Sequence, residues 1–102
     1  MSEPHLIATR VVLEHIRELE RPSMAINYWH SSYLAQRSYA KTAAYEILEL
    51  LRNSSEPPLV IIEEYRDKMN ELACLKPFTS FMFAVMADTA EHIIDAIMGS
   101  CY

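Results

Sequence analysis

Two groups of carboxylates in this 102-residue chain have spacings that could do chemistry. Glu46-x-x-Glu49 is followed, after fourteen residues, by Glu64-x-x-Asp67, and residues three apart on a helix share a face. This is the sharpest catalytic candidate in the sequence. Further on, Asp88-x-x-Glu91-His92-x-x-Asp95 sets three carboxylates and an imidazole along one face at i, i+3, i+4 and i+7. A divalent metal is conceivable there, but a tight site needs ligands converging from more than one element, and no second Glu-x-x-His occurs in the chain. That face is expected to be a polar strip that meets water or pairs with Arg and Lys from a neighbour.

The first pattern resembles, over residues 46–67 only, the paired E-x-x-E and E-x-x-D helices of the all-α nucleoside triphosphate pyrophosphohydrolases of the MazG and dimeric dUTPase type. The resemblance implies magnesium held by Glu46, Glu49, Glu64 and Asp67 and shared with substrate phosphates. Helical geometry points the carboxylates elsewhere. Glu46 and Glu49 fall roughly opposite the Trp29, Ala40, Ala44, Ile47 and Leu51 stripe, and Asp67 is about 160° from Tyr65. They are expected to face solvent rather than a cleft inside a bundle.

His30, Arg37, Lys41 and Arg52, with Leu34 and Tyr45 between them, share one flank of the same region. It is the one place where basic and aromatic residues interleave as a nucleic-acid surface requires, yet four positive groups over about six helical turns are sparse. Arg37 is expected to snorkel along the apolar stripe or to pair with the acidic half. Tyr28, Trp29, Tyr33, Tyr39 and Tyr45 crowd onto this segment, and aromatics with a polar tip suit both half-buried packing and protein interfaces. Met82, Met86 and Met98 read as fillers of an irregular core. No Ser-His-Asp or Cys-His set can be assembled, and Cys74 and Cys101 read as bystanders.

Composition removes further classes. One glycine, Gly99, cannot build the φ-permissive loops of nucleotide and dinucleotide sites. The net charge of −5 lies entirely in the second half: residues 1–53 hold six Lys/Arg against six Asp/Glu, residues 54–102 three against eight. A polyanion would be repelled there, whereas a basic partner would find a counter-surface. Two cysteines without C-x-x-C spacing are too few for a disulfide framework. Residues 1–5 show no basic region leading into an apolar stretch, and no run approaches the ~20 apolar residues of a membrane span, so a cytoplasmic location is expected.

The elements that must position these groups are set by three punctuation points, Arg21-Pro22-Ser23, Asn53 to Pro58, and Lys76-Pro77. They predict four helices over roughly Leu6–Glu20, Met24–Arg52, Pro57–Cys74 and Pro77–Met98, with Ser23 and Ser55 as N-caps. No strand alternation competes with the helical period. The first helix buries Ala8, Val12, Ile16 and Leu19; the third buries Ile61, Ile62, Tyr65, Met69, Leu72 and Leu75. The second helix, about 43 Å long if straight, would overhang a compact domain or break at Ser31-Ser32. The fourth is apolar around most of its circumference, which demands two contacts: a central place in the bundle, or a second copy of the chain.

The resulting expectation is an all-α, four-helix bundle-like single domain, 1–102, with one long second helix, dimeric, and without cofactor or bound metal. Its role would be that of a protein-binding or regulatory module whose partner the sequence does not name, acting by occlusion or scaffolding. Such a chain would also suit a phage or mobile element as an accessory protein. The dimer contact is expected at Phe83, Met86, Ile94 and Met98, with Trp29 and Tyr33 as further interface aromatics. The magnesium-dependent pyrophosphohydrolase and a helical DNA-binding regulator are the alternatives.

Overall fold

The computed structural model describes residues 3–21 and 31–100, with side chains from residue 35 to residue 99 in the second stretch. Four helices follow one another: α1 (Glu3–Glu20), α2 (Ser31–Asn53), α3 (Pro58–Leu75) and α4 (Ser80–Ser100), with a 3-10 turn at Pro77–Thr79 leading into α4. No strand occurs among the described residues. Ser23 and the expected helical stretch Met24–His30, including Ile26, Tyr28, Trp29 and His30, lie outside the described residues, as do the side chains of Tyr33 and Leu34. The described α2 is still the longest of the four, 23 residues or roughly 34 Å.

Prolines set the boundaries as their chemistry requires, though not with the expected cap. Pro57 occupies the N-cap of α3 with φ −54° and ψ 134°, Pro58 opens the first turn, and no side chain caps the helix. A residue preceding proline is pushed out of the α region, and a proline in the first turn loses no hydrogen bond. Ser55, expected as the cap, is therefore displaced from that role, and Ser54 Oγ instead accepts from the Glu56 N–H at 3.1 Å. At the far end Lys76, extended ahead of Pro77 with φ −122° and ψ 87°, stops α3, while its N–H still donates to the Leu72 carbonyl at 3.0 Å.

Helix α4 is the centre of the bundle. It packs along α3 for most of its length and also against α2 and α1, whereas α2 and α3 touch each other sparingly. Val85, Met86, Ala87, Ala90, Ile93, Ile94 and Ile97 are all buried, and Thr89 is buried with its hydroxyl donating to the Val85 carbonyl at 2.9 Å. From α2, Ala43 and Ala44 admit close approach, with Ile47 and Leu51 filling the space beside them. Val12, Ile47, Leu51, Ile62 and Ile93 are the largest fully buried side chains, and each stabilises the fold by about 1.5–3 kcal/mol. His5, buried at the start of α1, is placed for Nε2–H to donate to the Ser54 carbonyl at 3.1 Å, which ties α1 to the α2–α3 connection.

Candidate functional site

The four carboxylates of the first motif do not meet at one point. Three of them, Glu46, Glu49 and Glu64, line a groove of about 490 Å³ that opens between the C-terminal half of α2 and the N-terminal half of α3. Its walls include Leu50, Ile61, Tyr65 and Met69, and Lys68 is the basic residue among those that line it. The Tyr65 hydroxyl donates to Glu46 Oε1 at 3.1 Å, and Glu49 accepts from the Asn53 side-chain amide at 3.0 Å. Burial first, then the charge and hydrogen bond of Glu46, push the Tyr65 phenol far above its ordinary pKa. Asp67, the fourth carboxylate, is absent from the groove and lies beside Arg66, 3.2 Å from Nε.

All four carboxylates are exposed, as the helical angles led one to expect, and three of them line an open surface groove. Residues opposite the stripe that faces α4 still line the space left where α2 and α3 diverge. Among the described residues, no three His, Cys, Asp or Glu side chains converge where an ion could sit. One of the four carboxylates is turned away and a lysine shares the space, so the residues do not fit the magnesium site that the resemblance implies.

The second motif is a paired surface strip. Glu91 Oε2 accepts from Arg66 Nη1 at 2.7 Å, linking α3 to α4, and the same guanidinium touches Asp67. These two carboxylates raise the Arg66 pKa. His92 Nδ1 lies 2.8 Å from the Asp88 carbonyl, to which it is placed to donate, and 3.4 Å from the Asp88 carboxylate. Asp88, His92 and Asp95 are exposed. Across from this strip, His15 of α1 is half-buried; burial and then His92 hold its pKa below the ordinary histidine value, against a smaller opposite pull from Glu18.

Arg37 has a structural partner that the basic-flank reading did not foresee. Its Nε donates to the Leu19 carbonyl and its Nη2 to the Arg21 carbonyl at 2.6 Å, so the guanidinium caps the C-terminal end of α1, where the helix dipole favours a cation. Beside it the Tyr45 hydroxyl donates to Glu20. Of the four positive residues on the flank, Lys41 and Arg52 remain without an assigned ion pair among the described residues, and His30 lies outside them.

The residues expected at a dimer contact divide. Met86 and Ile94 are buried by the chain's own helices, and Phe83 and Met82 pack partly against the same core. For Met86 and Ile94 the chain's own helices supply the cover. Met98 stays 46% exposed; Trp29 and the Tyr33 side chain lie outside the described residues.

The two most exposed large apolar side chains among the described residues, Phe78 and Leu75, sit elsewhere, at the α3–α4 corner. Leu75 is 67% exposed, Phe78 fully exposed and Phe81 53% exposed. Phe81 makes an edge-to-face contact with Tyr39 of α2 at 6.1 Å between ring centroids. The sequence signal was present, because Pro77 sets its two flanking turns outside the regular helical stripe, but the apolar periodicity assigned Leu75 to the core. Cys74, beside the corner, is a free and exposed thiol. No helix among the described residues is long and apolar enough to cross a membrane. Comparison with protein-family models, with curated proteins and with solved structures returned no match.

Proposed function

We propose that this chain is a protein-interaction module that pairs with a second copy of itself through the corner formed by Leu75, Phe78 and Phe81. The observation that carries this reading is the full exposure of Phe78 between two other outward-facing large apolar side chains. An aromatic ring held in water gains roughly 1.5–3 kcal/mol when an interface covers it, and aromatics are enriched where proteins meet. Charge supports a second copy as the occupant. Residues 72–87 contain Lys76 and no carboxylate, residues 35–45, which carry Tyr39, contain none either, and Glu71 stands one turn before Leu75 on α3. A two-fold contact at this corner therefore meets fewer like charges than one built on the carboxylate-rich faces of α3 and α4. The exposed thiol of Cys74 suits a reducing compartment such as the cytoplasm. The module would act by occlusion or scaffolding, through helical surfaces that remain open once the corner is covered.

Sedimentation equilibrium tests this reading. The wild type is expected to approach dimer mass as concentration rises, and Phe78→Glu to stay monomeric. A wild type that remains monomeric at high micromolar concentration, or a Phe78→Glu/Phe81→Glu variant that still dimerises, removes the proposal.

A further inference from the structure

We infer that the groove between α2 and α3 receives a basic, amphipathic helical segment of a partner protein. This site is separate from the α3–α4 corner and does not depend on self-association. The groove exists because both helices pack on α4 rather than on each other, leaving about 490 Å³ between them. Its apolar part centres on Leu50, 41% exposed, over a floor formed by the buried Ile61, Tyr65 and Met69. Its length suits a helix. The lining residues run from Glu46 to Ser54 and from Ile61 to Met69, about 12 Å along each axis, and a helix laid beside them presents residues i, i+4 and i+7 over about the same distance.

Charge selects the kind of helix. Glu46, Glu49, Glu56 and Glu64 face a single cation, Lys68, and the carboxylates of Glu56 and Glu64 have no assigned partner among the described residues. Nucleic acid, nucleotides and anionic lipid are repelled by such a surface, whereas lysines or arginines flanking an apolar stripe meet a carboxylate on either side. The Tyr65 hydroxyl, held by Glu46, fixes one carboxylate of the rim in place.

The test is fluorescence anisotropy with a dye-labelled model peptide of about five helical turns, with leucines at i, i+4 and i+7 and lysines between them. A peptide of the same composition, scrambled to destroy the apolar stripe, is the comparison. The wild type is expected to bind the amphipathic peptide at least about tenfold more tightly than the scrambled one. Glu49→Lys/Glu64→Lys is expected to weaken binding about tenfold or more and to flatten its dependence on salt. Leu50→Gln is expected to weaken binding several-fold with the salt dependence retained. Glu14→Lys/Asp95→Lys makes the same change in net charge outside the groove and is expected to bind within about twofold of the wild type. Phe78→Glu is expected to retain the affinity, which separates this site from the corner.

The inference is overturned if the scrambled peptide binds as tightly, or if Glu14→Lys/Asp95→Lys loses as much affinity as the groove variant. It is also overturned if both groove variants bind like the wild type. Saturable thermal stabilisation by Mg²⁺ alone, lost in Glu49→Lys/Glu64→Lys, would assign the groove to a cation instead.

Discussion

Replacing Ile94 by alanine separates a central fourth helix from one that a second copy must cover. Ile94 is buried within one chain, so the substitution removes three buried carbons at ~0.8 kcal/mol each and leaves a cavity among well-packed neighbours. The expected loss is about 3 kcal/mol, a large share of the roughly 5–15 kcal/mol that holds a domain together. For a chain of this size that lowers the melting temperature by roughly 12–24 °C. Urea unfolding followed by far-UV circular dichroism reads the same loss as a shift of midpoint at unchanged slope. The loss should be equal at low and high micromolar protein, because the cover of Ile94 comes from the same chain. Met98→Ala, at a half-exposed position of the same helix, should cost under about 1 kcal/mol. An Ile94→Ala loss below about 1 kcal/mol, or one that appears only where the wild type is associated, would refute the central placement of α4.

Three further outcomes follow from the local geometry. Arg37→Met should destabilise by about 2 kcal/mol in urea unfolding, because two carbonyls at the end of α1 lose a charged donor, while Lys41→Met should stay within about 0.5 kcal/mol. Tyr65→Phe should cost about 1 kcal/mol, and spectrophotometric titration of the folded variant should lack a tyrosine that ionises above the ordinary range. The folded state keeps His15 neutral where the unfolded chain, with the ordinary value of 6.5, takes up a proton. Its contribution is therefore present above pH 6.5 and lost as pH falls below it. The groups around it are His92 of α4, Glu14, Arg17 and Glu18 of α1, and Arg21 just beyond its end. Urea midpoints measured against pH should show this acid limb, and His15→Gln should flatten it.

The four helices were readable because prolines punctuate the chain and the apolar period between them is helical. The apolar arc of α4 announced two contacts, but periodicity measures how wide an arc is and not which neighbour covers it. Met86 and Ile94 were therefore assigned to a second copy when α1, α2 and α3 supply enough surface. The same limit misplaced Leu75, which continues the α3 stripe by spacing but stands in the last turn, where Lys76 and Pro77 turn the chain away. Asp67 was placed outward by helical angle alone. Glu46, Glu49 and Glu64 were placed outward in the same way and are exposed, but the groove that brings them together was not legible, since it depends on how far α2 and α3 diverge on the surface of α4. Arg37 was expected to snorkel along the apolar stripe or to pair with the acidic half, and its true acceptors were missed because backbone carbonyls leave no trace in side-chain identity.

The most direct measurement uses the three phenylalanines of the chain, Phe78, Phe81 and Phe83, replaced by a fluorinated analogue and observed by fluorine NMR across a concentration series. The expected result is that the Phe78 and Phe81 resonances move with concentration and lose contact with solvent, while Phe83, packed against the core, stays fixed. Three resonances that do not move up to millimolar protein, or a Phe83 signal that shifts while Phe78 remains in water, would contradict a self-association surface at the α3–α4 corner.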